Sequence, residues 1–227
     1  DGSRSLFEKA YQFVKQIALK NKLKCINELH QAKGILLDIG AGTGDFLAVA
    51  NQNGWQTIGI EPNDKAKKIA QSKGVELIEA TNSLDDHSID VITMWHVLEH
   101  VPNVENQIKE LRRLLKPNGS IIIAVPNFNA YDAKYYDSYW AAFDVPRHLW
   151  HFSRKAIKSL FERENFHLEK TLPMLFDAFY VALLSEKYKT GKMNFIKATF
   201  IGLKSNWKAK STGEYSSLIY ILKNNKA

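Results

Sequence analysis

A glycine-rich run, DIGAGTG at residues 38–44, constrains the fold of this 227-residue chain more than any other feature. The run follows a short apolar segment at 35–39 and precedes a helical pattern at 45–53. Glycines allow the backbone to turn tightly and to approach a ligand where a Cβ would collide. An apolar strand, a glycine turn and a helix in this order indicate the first unit of a parallel α/β sheet.

Strand and helix patterns alternate as far as residue 125. Four further apolar segments are predicted to form strands, at 57–61, 76–78, 90–94 and 120–125. Helices are predicted between them at 64–73 and 104–115. This spacing predicts an α/β fold with a doubly wound, mostly parallel sheet and helices on both faces. Ligands of such sheets bind beyond the carboxyl ends of the strands.

The chain outside this alternation is predicted to form added helices and a lid. An amphipathic pattern over 5–29 predicts an N-terminal helical cover, residues 1–32, ahead of a domain at 33–227. The aromatic-rich residues 128–152 are predicted to form a loop that closes over a substrate. The remaining predictions are a helix at 153–165, a strand at 166–172, a helical insertion at 174–212 and a last strand at 215–222.

Composition excludes several classes of protein. Hydrophobic residues at 45% and charged residues at 24% argue against a disordered or fibrous chain. The single cysteine, Cys25, cannot form an internal disulfide, so we expect a reducing compartment, the cytoplasm. The apolar runs are shorter than the roughly 20 residues of a membrane helix, and no signal-peptide pattern is present. The first residue is Asp1, which leaves open whether the native N-terminus is present.

The net charge of +7 comes from the end of the chain. Residues 1–182 contain 22 Lys or Arg and 22 Asp or Glu, whereas residues 183–227 contain nine Lys and two Glu. We interpret the basic segment 187–210 first as a solvated helix face. Its interleaved aromatic residues also suit a membrane surface or a nucleic acid, and these partners stay as alternatives.

The residues at the strand ends suit a nucleoside ligand. The glycine spacing is G-x-G-x-G, which departs from the G-x-G-x-x-G of dinucleotide sites. Glu61 ends the second strand, where a carboxylate can accept both hydroxyls of a ribose. Asp45 in the first helical turn would repel a phosphate. We therefore expect a phosphate-free nucleoside with a charged tail, whose ammonium group could face Asp38; a tight turn without any ligand is the alternative.

Four motifs in this order resemble the class I S-adenosylmethionine-dependent methyltransferases. They are LDIGAGTG at 37–44, GIEPN at 59–63, DVITMWHVLEHVPN at 90–103 and LKPNGSIIIAVPN at 115–127. The resemblance covers residues 33–172 and the final strand but not 174–212. It implies a seven-stranded Rossmann-like sheet whose last strand is antiparallel and lies between the fifth and the sixth. Within the family, the chain looks most like the branch that methylates quinones, lipids and other small molecules.

The resemblance also implies where S-adenosylmethionine binds. It assigns the methionine part to the glycine loop, the ribose to Glu61, the adenine to the residues after the second and third strands, and the sulfur side to the end of the fourth strand. The implied cofactor-binding residues are Asp38, Gly40, Ala41, Gly42, Gly44, Glu61, Pro62, Ala80, Thr81, Trp95 and His96. Many relatives hold the adenine amine with an acid before the Ala80 position, where this chain has Glu79.

Histidines are the candidate catalytic residues. Methyl transfer from a sulfonium depends mainly on alignment and exclusion of water, and a hydroxyl or amine acceptor benefits from a general base with a pKa near 7. The candidates are His96, which should also pack on the cofactor, and His148 and His151 in the predicted lid. A hydrogen-bonded structural histidine is the alternative at each position.

A metal site is a further alternative. His96, Glu99, His100 and His151 have types and spacing similar to the metal site of small-RNA 2′-O-methyltransferases, which have an acid in place of His96. The same HVLEHV stretch occurs in many methyltransferases without a metal, so no metal is assigned.

The resulting expectation is an S-adenosylmethionine-dependent methyltransferase, EC 2.1.1. It would move a methyl group to an oxygen, carbon or nitrogen of a small-molecule acceptor that no motif names. The alternatives are an RNA methyltransferase, a nicotinamide-dependent oxidoreductase and a cofactor-binding protein without catalytic activity. Nothing in the sequence indicates an oligomeric state.

Overall fold

The computed structural model describes residues 2–225, with side chains from residue 12 onward. The first part of the amphipathic pattern predicted over 5–29, with its apolar residues Leu6, Phe7 and Ala10, therefore lies outside the described side chains, as does Lys226 of the basic C-terminal part. The helices are α1 (Gly2–Leu29), α2 (Asp45–Gln52), α3 (Asp64–Ser72), α4 (Val104–Leu114), α5 (Tyr131–Tyr136), α6 (Arg154–Glu162), α7 (Asp177–Thr190) and α8 (Phe195–Thr212). None of these helices has the length and apolar character needed to cross a membrane.

The seven strands form one sheet in the order β3-β2-β1-β4-β5-β7-β6. They are β1 (Ile35–Ile39), β2 (Gln56–Ile60), β3 (Leu77–Ile78), β4 (Ile89–Trp95), β5 (Leu115–Pro126), β6 (Phe166–Pro173) and β7 (Ser217–Asn224). The pairs β1–β2 and β2–β3 are parallel, and β6–β7 is antiparallel. The expected fold class is confirmed, including the insertion of the last strand between the fifth and the sixth.

Local chemistry explains where several elements begin. Asn63, Ser153 and Asn194 each accept a hydrogen bond from a backbone N–H two or three residues further on, which caps α3, α6 and α8. Strand β1 buries Leu36 and Leu37 completely, as its continuous apolar run predicts for a central strand.

The chain forms two compact units. The first runs to Thr93 and includes Leu114–Ser120, and the second comprises Met94–Arg113 and the chain from Ile121 onward. The first unit therefore holds the glycine-rich loop, and the second holds the histidine-rich segments.

Residues 128–152 differ from the expected loop, because they contain α5 and two 3-10 turns at Asp137–Tyr139 and Ala141–Phe143. Ala130, Ala133 and Tyr136 recur every three residues and are buried in one cluster with residues of α7 and α8. A pattern of small and aromatic residues at this spacing packs as a helix, although its aromatic content suggested a loop.

Asp132 links this segment to the last part of the chain. Its carboxylate is fully buried and accepts hydrogen bonds from Trp140 Nε1 (2.8 Å), Ser205 Oγ (2.6 Å) and Ser216 Oγ (2.7 Å). A buried carboxylate is tolerated when its lone pairs are satisfied in this way. Three segments of the second unit are therefore joined at one side chain.

The predicted helical insertion consists of two helices, α7 and α8, packed closely together. A Cβ added at Gly202 of α8 would lie 2.7 Å from Cδ1 of Phe179 in α7, so only glycine fits against that ring. The two helices can approach this closely because Gly202 has no side chain.

Replacing Gly202 with valine should lower the free energy of unfolding by about 1–3 kcal/mol, since the added methyl groups overpack the contact with Phe179. Chemical denaturation monitored by circular dichroism measures the loss. Valine is preferred to alanine because the higher helix propensity of alanine would offset the strain. The exposed neighbour Thr199→Val is the matched control, and equal stability of both variants would contradict close packing at Gly202.

Candidate functional site

The turn between β1 and α2 forms an open backbone cradle in the first unit. The N–H groups of Gly40 and Ala41 donate to the carbonyl of Ile60 at the end of β2, at 2.8 and 2.9 Å. Gly42 has φ +54°, and a Cβ added there would meet no atom within 4 Å. This part of the loop is thus open to a ligand. Gly44 differs, because a Cβ there would lie 2.8 Å from Ala70 Cβ, so the loop packs closely against α3 at this position.

Glu61 holds the same loop to the end of β2. Its Oε2 accepts from Gly42 N–H and its Oε1 from Asn63 N–H, both at 2.8 Å. The side chain is largely buried, with 9% of the residue surface exposed. Each carboxylate oxygen has two lone pairs, so one on each oxygen remains for a hydroxyl donor. The geometry therefore suits a vicinal diol, as the sequence predicts for a ribose.

Asp38 places a buried negative charge at the end of β1. Only 2% of the residue is exposed, and its Oδ1 accepts a hydrogen bond from Thr93 Oγ1 at 2.6 Å. Burial raises the pKa of Asp38 to about 6, although the hydrogen bond from Thr93 lowers it. At neutral pH the carboxylate is ionised at a cost in stability, which a cationic ligand would offset.

Asp45 is held by basic side chains at the start of α2. Burial raises the pKa of this carboxyl, but the hydrogen bond from Thr43 and the pairs with Lys15 (2.9 Å) and Lys73 (3.0 Å) outweigh it and lower the pKa to about 2. Asp45 is therefore ionised and already paired, which agrees with its expected role as a charge at the helix N-terminus.

The expected adenine residues lie at the surface of the first unit. Pro62 and Ala80 are exposed, and Thr81 begins a 3-10 turn and is partly buried. Glu79 pairs with Lys67 at 3.1 Å, and its side chain is 89% exposed. The suggested acid for the adenine amine is thus engaged with α3.

In the second unit, His96 has an unusual backbone and two acidic neighbours. It has φ +58°, a left-handed conformation that costs about 1–3 kcal/mol for a residue other than glycine and clusters at functional sites. Its Nδ1 lies 3.4 Å from Glu99 Oε1 and its Nε2 lies 3.1 Å from Asp177 Oδ2. Burial lowers the pKa of His96, but the hydrogen bond to Asp177 and the charge of Glu99 outweigh it and raise the pKa to about 10. His96 is therefore a cation at neutral pH.

Glu99, His100 and His148 bring three donor atoms within 4.8 Å of one another. His100 Nδ1–H donates to the carbonyl of Arg147 at 2.9 Å, and His148 Nδ1–H donates to that of Ala142 at 2.8 Å. The neutral form of each ring then carries its lone pair on Nε2. Neither Glu99 oxygen has a hydrogen-bond partner in the part of the chain that the structure describes, although the residue is 1% exposed.

Within residues 12–225, these three side chains form the cluster that could hold a metal ion. The cluster contains His148 in place of His96 and His151. One carboxylate and two imidazoles are the donor types that zinc accepts, and carbonyl groups behind the rings orient metal-ligating histidines in many proteins.

His151 and Trp95 stand apart from this cluster. His151 Nε2–H donates to the backbone carbonyl of Phe143 at 3.0 Å, and the His151 imidazole and the Phe143 ring lie edge to face. Trp95 is buried at the end of β4. His151 therefore has the contacts of a structural histidine.

A cavity of about 330 Å³ in the second unit contains His96, Glu99 and His148. Its wall also has three charged residues that the sequence did not identify, Asp144, Arg147 and Asp177. The first two could have been found in the segment DVPRH at 144–148, but Asp177 belongs to α7 in the insertion, where the resemblance ends. The apolar part of the wall consists of Pro126, Ala141, Ala142, Val181 and Leu184, with Tyr180 and Tyr188 beside them.

Comparison with known proteins gives a family match. A family model described as a methyltransferase domain matches residues 8–171. Among curated proteins, the ubiquinone biosynthesis O-methyltransferase of Nitrosospira multiformis is 31% identical over 104 residues, 41% of this chain and 44% of that enzyme. An uncharacterized protein of Methanocaldococcus jannaschii is 30% identical over 125 residues, 54% of this chain and 58% of that protein. The chain spans about half the length of the curated relatives it matches.

Solved structures agree on the fold. A protein of Thermotoga maritima described as an S-adenosylmethionine-dependent methyltransferase, possibly a histamine N-methyltransferase, superimposes with a TM-score of 0.65 at 21% identity over 96% of this chain and 94% of that one. Phosphoethanolamine N-methyltransferase 2 of Haemonchus contortus, in complex with phosphomonomethylethanolamine and S-adenosylhomocysteine, superimposes with a TM-score of 0.61. The two chains are 14% identical, and the match covers 91% of this chain and 53% of that one.

The strand order is that of the solved S-adenosylmethionine-dependent methyltransferases, and the family match assigns the chain to this class, whose cofactor is S-adenosylmethionine. The chain belongs to the methyltransferase domain family, whose model matches more than half of its length. This membership argues against the nicotinamide-dependent oxidoreductase.

The buried charge of Asp38 makes ligand affinity depend on pH. The carboxylate attracts the ammonium group of S-adenosylhomocysteine only when it is ionised, so affinity should fall as the pH falls through about 6, by about tenfold near pH 5. Titration calorimetry between about pH 5 and 8 measures this dependence. In Asp38→Asn the affinity should be low throughout, and a pH dependence that persists in this variant would contradict the assignment.

The same variant should unfold at a higher temperature at neutral pH. The folded pKa of Asp38 lies above its unfolded value of 3.8, so the ionised carboxylate lowers stability as the pH rises from 3.8 through about 6. Asparagine is neutral and can still accept a hydrogen bond from Thr93, so the substitution should raise the free energy of unfolding by about 1–3 kcal/mol. The exposed Asp85→Asn is the control, and an Asp38→Asn variant no more stable than this control would show that burial of the charge costs nothing.

Proposed function

We propose that this chain transfers a methyl group from S-adenosylmethionine to a small molecule bound in the cavity of the second unit. The observation that carries the proposal is the buried Asp38 carboxylate beside an open glycine backbone, with Glu61 able to accept two hydroxyl groups. The Asp38 carboxylate suits an ammonium group, the open glycine backbone lets a ligand approach, and Glu61 suits the hydroxyl groups of a ribose. The single buried cysteine further supports a reducing compartment, the cytoplasm.

The residues of the first unit would bind the cofactor by its polar ends. Asp38 would pair with the amino acid ammonium, the backbone at Gly40 and Gly42 would approach the methionine part, and Glu61 would accept from the ribose hydroxyls. Ala41 keeps this backbone in place through its bond to Ile60. Pro62, Ala80 and Thr81 remain the proposed adenine contacts, and Trp95 and His96 the proposed contacts on the sulfur side. When bound, S-adenosylmethionine supplies a methyl group on a sulfonium with a neutral thioether as leaving group.

The lining of the cavity favours a small acceptor over RNA. Its volume of about 330 Å³ is at the lower end of the range for small-molecule sites. Glu99, Asp144 and Asp177 line it, and Asp144 already pairs with Arg147 at 2.7 Å. Protonated His96 and Arg147 offset two of the three carboxylates, so the lining keeps a net negative charge that disfavours a phosphate backbone.

His148 is the best placed of the three candidate bases. Its Nδ1–H is engaged by the carbonyl of Ala142, so the neutral ring presents an unprotonated Nε2, and the residue lines the cavity. Nε2 could therefore take the proton of an acceptor hydroxyl or amine. His96 is already protonated and can only orient or stabilise charge, and His151 donates to Phe143 outside the cavity lining.

Two assays test the proposal together. Calorimetry should detect binding of S-adenosylhomocysteine and none of NAD, and a radiolabelled methyl-transfer assay over phenols, quinols, amines and carboxylic acids should detect a product. If the methyl group were transferred to RNA and to none of these small molecules, the proposed small-molecule acceptor would be wrong and RNA would take its place. Failure to bind S-adenosylhomocysteine would contradict the proposal as a whole.

Once an acceptor is identified, His148→Gln should lower kcat by about 10²–10⁴-fold, because glutamine cannot take the proton from the acceptor hydroxyl or amine. Affinity for S-adenosylhomocysteine should stay within about twofold, which separates loss of the base from loss of cofactor binding. His151→Gln is the matched control and should change kcat by less than about threefold. A larger effect of His151→Gln than of His148→Gln would reverse the assignment.

A further inference from the structure

Helix α8 carries two apolar faces, and one of them is exposed. Ala198, Ile201, Gly202, Ser205 and Ala209 are buried on the side that packs within the second unit. On the other side, Ile196, Phe200, Leu203 and Trp207 are exposed by 86%, 62%, 57% and 68%. Their spacing of four, three and four residues aligns them in one stripe along the helix. We call these four side chains the α8 stripe.

Neighbouring segments extend the exposed apolar surface. Leu175 and Phe176, at the start of α7, are exposed by 48% and 43%. The carbonyl of Leu175 accepts from Asn206 Nδ2 at 2.9 Å, which holds this segment beside the last turns of α8. An apolar surface that spans several side chains on two segments is more than the scattered exposure of an ordinary protein surface.

The charge around the stripe is of one sign. Between Glu186 and Glu214 the chain has seven lysines and no acidic residue. Among residues 12–225, Lys197 is the one of these seven that pairs with a carboxylate, Glu186 at 3.0 Å. Lys204 and Lys208 lie over the ring of Tyr131, at 5.2 and 4.3 Å from its centroid, and still carry uncompensated charge. The surface thus combines exposed Ile, Leu, Phe and Trp side chains with net positive charge.

We propose that the α8 stripe docks on a membrane surface that contains anionic lipids. A tryptophan and aliphatic side chains flanked by lysines are the composition of helices that lie in the membrane interface. A second copy of this chain fits less well, because two lysine-rich faces would repel each other. Single-stranded nucleic acid also fits less well, because Ile196 and Leu203 offer no aromatic plane for a base to stack on.

This docking does not depend on the proposed methyl transfer. The stripe lies on α8, and no residue of that helix lines the cavity. Membrane binding can therefore be measured without a known acceptor, and its failure leaves the cofactor assays unaffected.

Sedimentation with vesicles tests the proposal. The protein should sediment with phosphatidylcholine vesicles that contain about 30 mol% phosphatidylglycerol, at least about tenfold more strongly than with phosphatidylcholine alone, and less at high salt. The double variant Phe200→Ser, Leu203→Ser should lose at least about tenfold in affinity. Charge reversal at the exposed Lys192 and Lys210 should also weaken binding; Lys197 is left intact because buried Glu186 needs it.

Matched controls separate the stripe from general surface properties. Ile69→Ser with Lys68→Glu on α3 removes an exposed apolar and an exposed basic side chain elsewhere and should bind vesicles as the parent chain does. Circular dichroism checks that each variant folds. If the α3 control lost as much vesicle affinity as the stripe variants, a specific docking face on α8 would be rejected.

Tryptophan quenching locates the contact. Brominated lipids should quench Trp207, so that Trp207→Phe removes most of the quenching while Trp150→Phe, the other exposed tryptophan of the described chain, leaves it unchanged. The proposal is overturned if the protein does not sediment with anionic vesicles or if Trp207→Phe leaves quenching intact. It is also overturned if light scattering shows a dimer in the parent chain that the double variant abolishes.

Discussion

The first unit depends on the closure of the loop after β1 onto the end of β2. Two backbone N–H groups of this loop donate to Ile60, and a third, from Gly42, donates to Glu61. The loop can turn back onto β2 in this way because Gly40 and Gly42 adopt positive φ, a conformation that residues with a side chain rarely take. With the loop closed in this way, Asp38 is buried at the end of β1, α2 begins directly after the loop, and the backbone at Gly42 stays open. The structure of the loop and the proposed cofactor contacts therefore depend on the same few hydrogen bonds.

The buried carboxylates of this protein differ in how completely they are hydrogen-bonded. Asp132 is completely buried, but three donors satisfy it, so it stabilises the packing of the segments that supply them. Asp38 and Glu99 are buried with fewer partners, and each lies where a ligand can supply the missing interaction. Incomplete satisfaction of a buried charge is a cost that folding alone does not explain, and at Asp38 it supports the proposed contact with a cationic ligand group.

Much of the first unit could be predicted from the sequence. The glycine run, the acids at the ends of β1 and β2 and the alternation of strands and helices are local signals, and the structure places each of them as expected. The histidines show the limit of such signals. The sequence offers His96, His148 and His151 alike as candidate bases. The structure makes the first a cation between two carboxylates, gives the second a fixed tautomer in a cavity and engages the third with Phe143. These differences come from Asp177, Ala142 and Phe143, whose proximity no spacing rule predicts.

The sequence by itself determined the fold class, the position of the glycine-rich loop and the family, because backbone conformation and hydrophobic periodicity are encoded within a few neighbouring residues. Only the tertiary structure decided which histidines line the cavity and which face of α8 remains exposed. The lysine-rich segment illustrates the reason: its apolar residues recur all around the helix, and periodicity cannot tell the buried set from the exposed one. Packing of α8 against Phe179 through Gly202 selects one face, and that choice leaves the α8 stripe uncovered in the described chain.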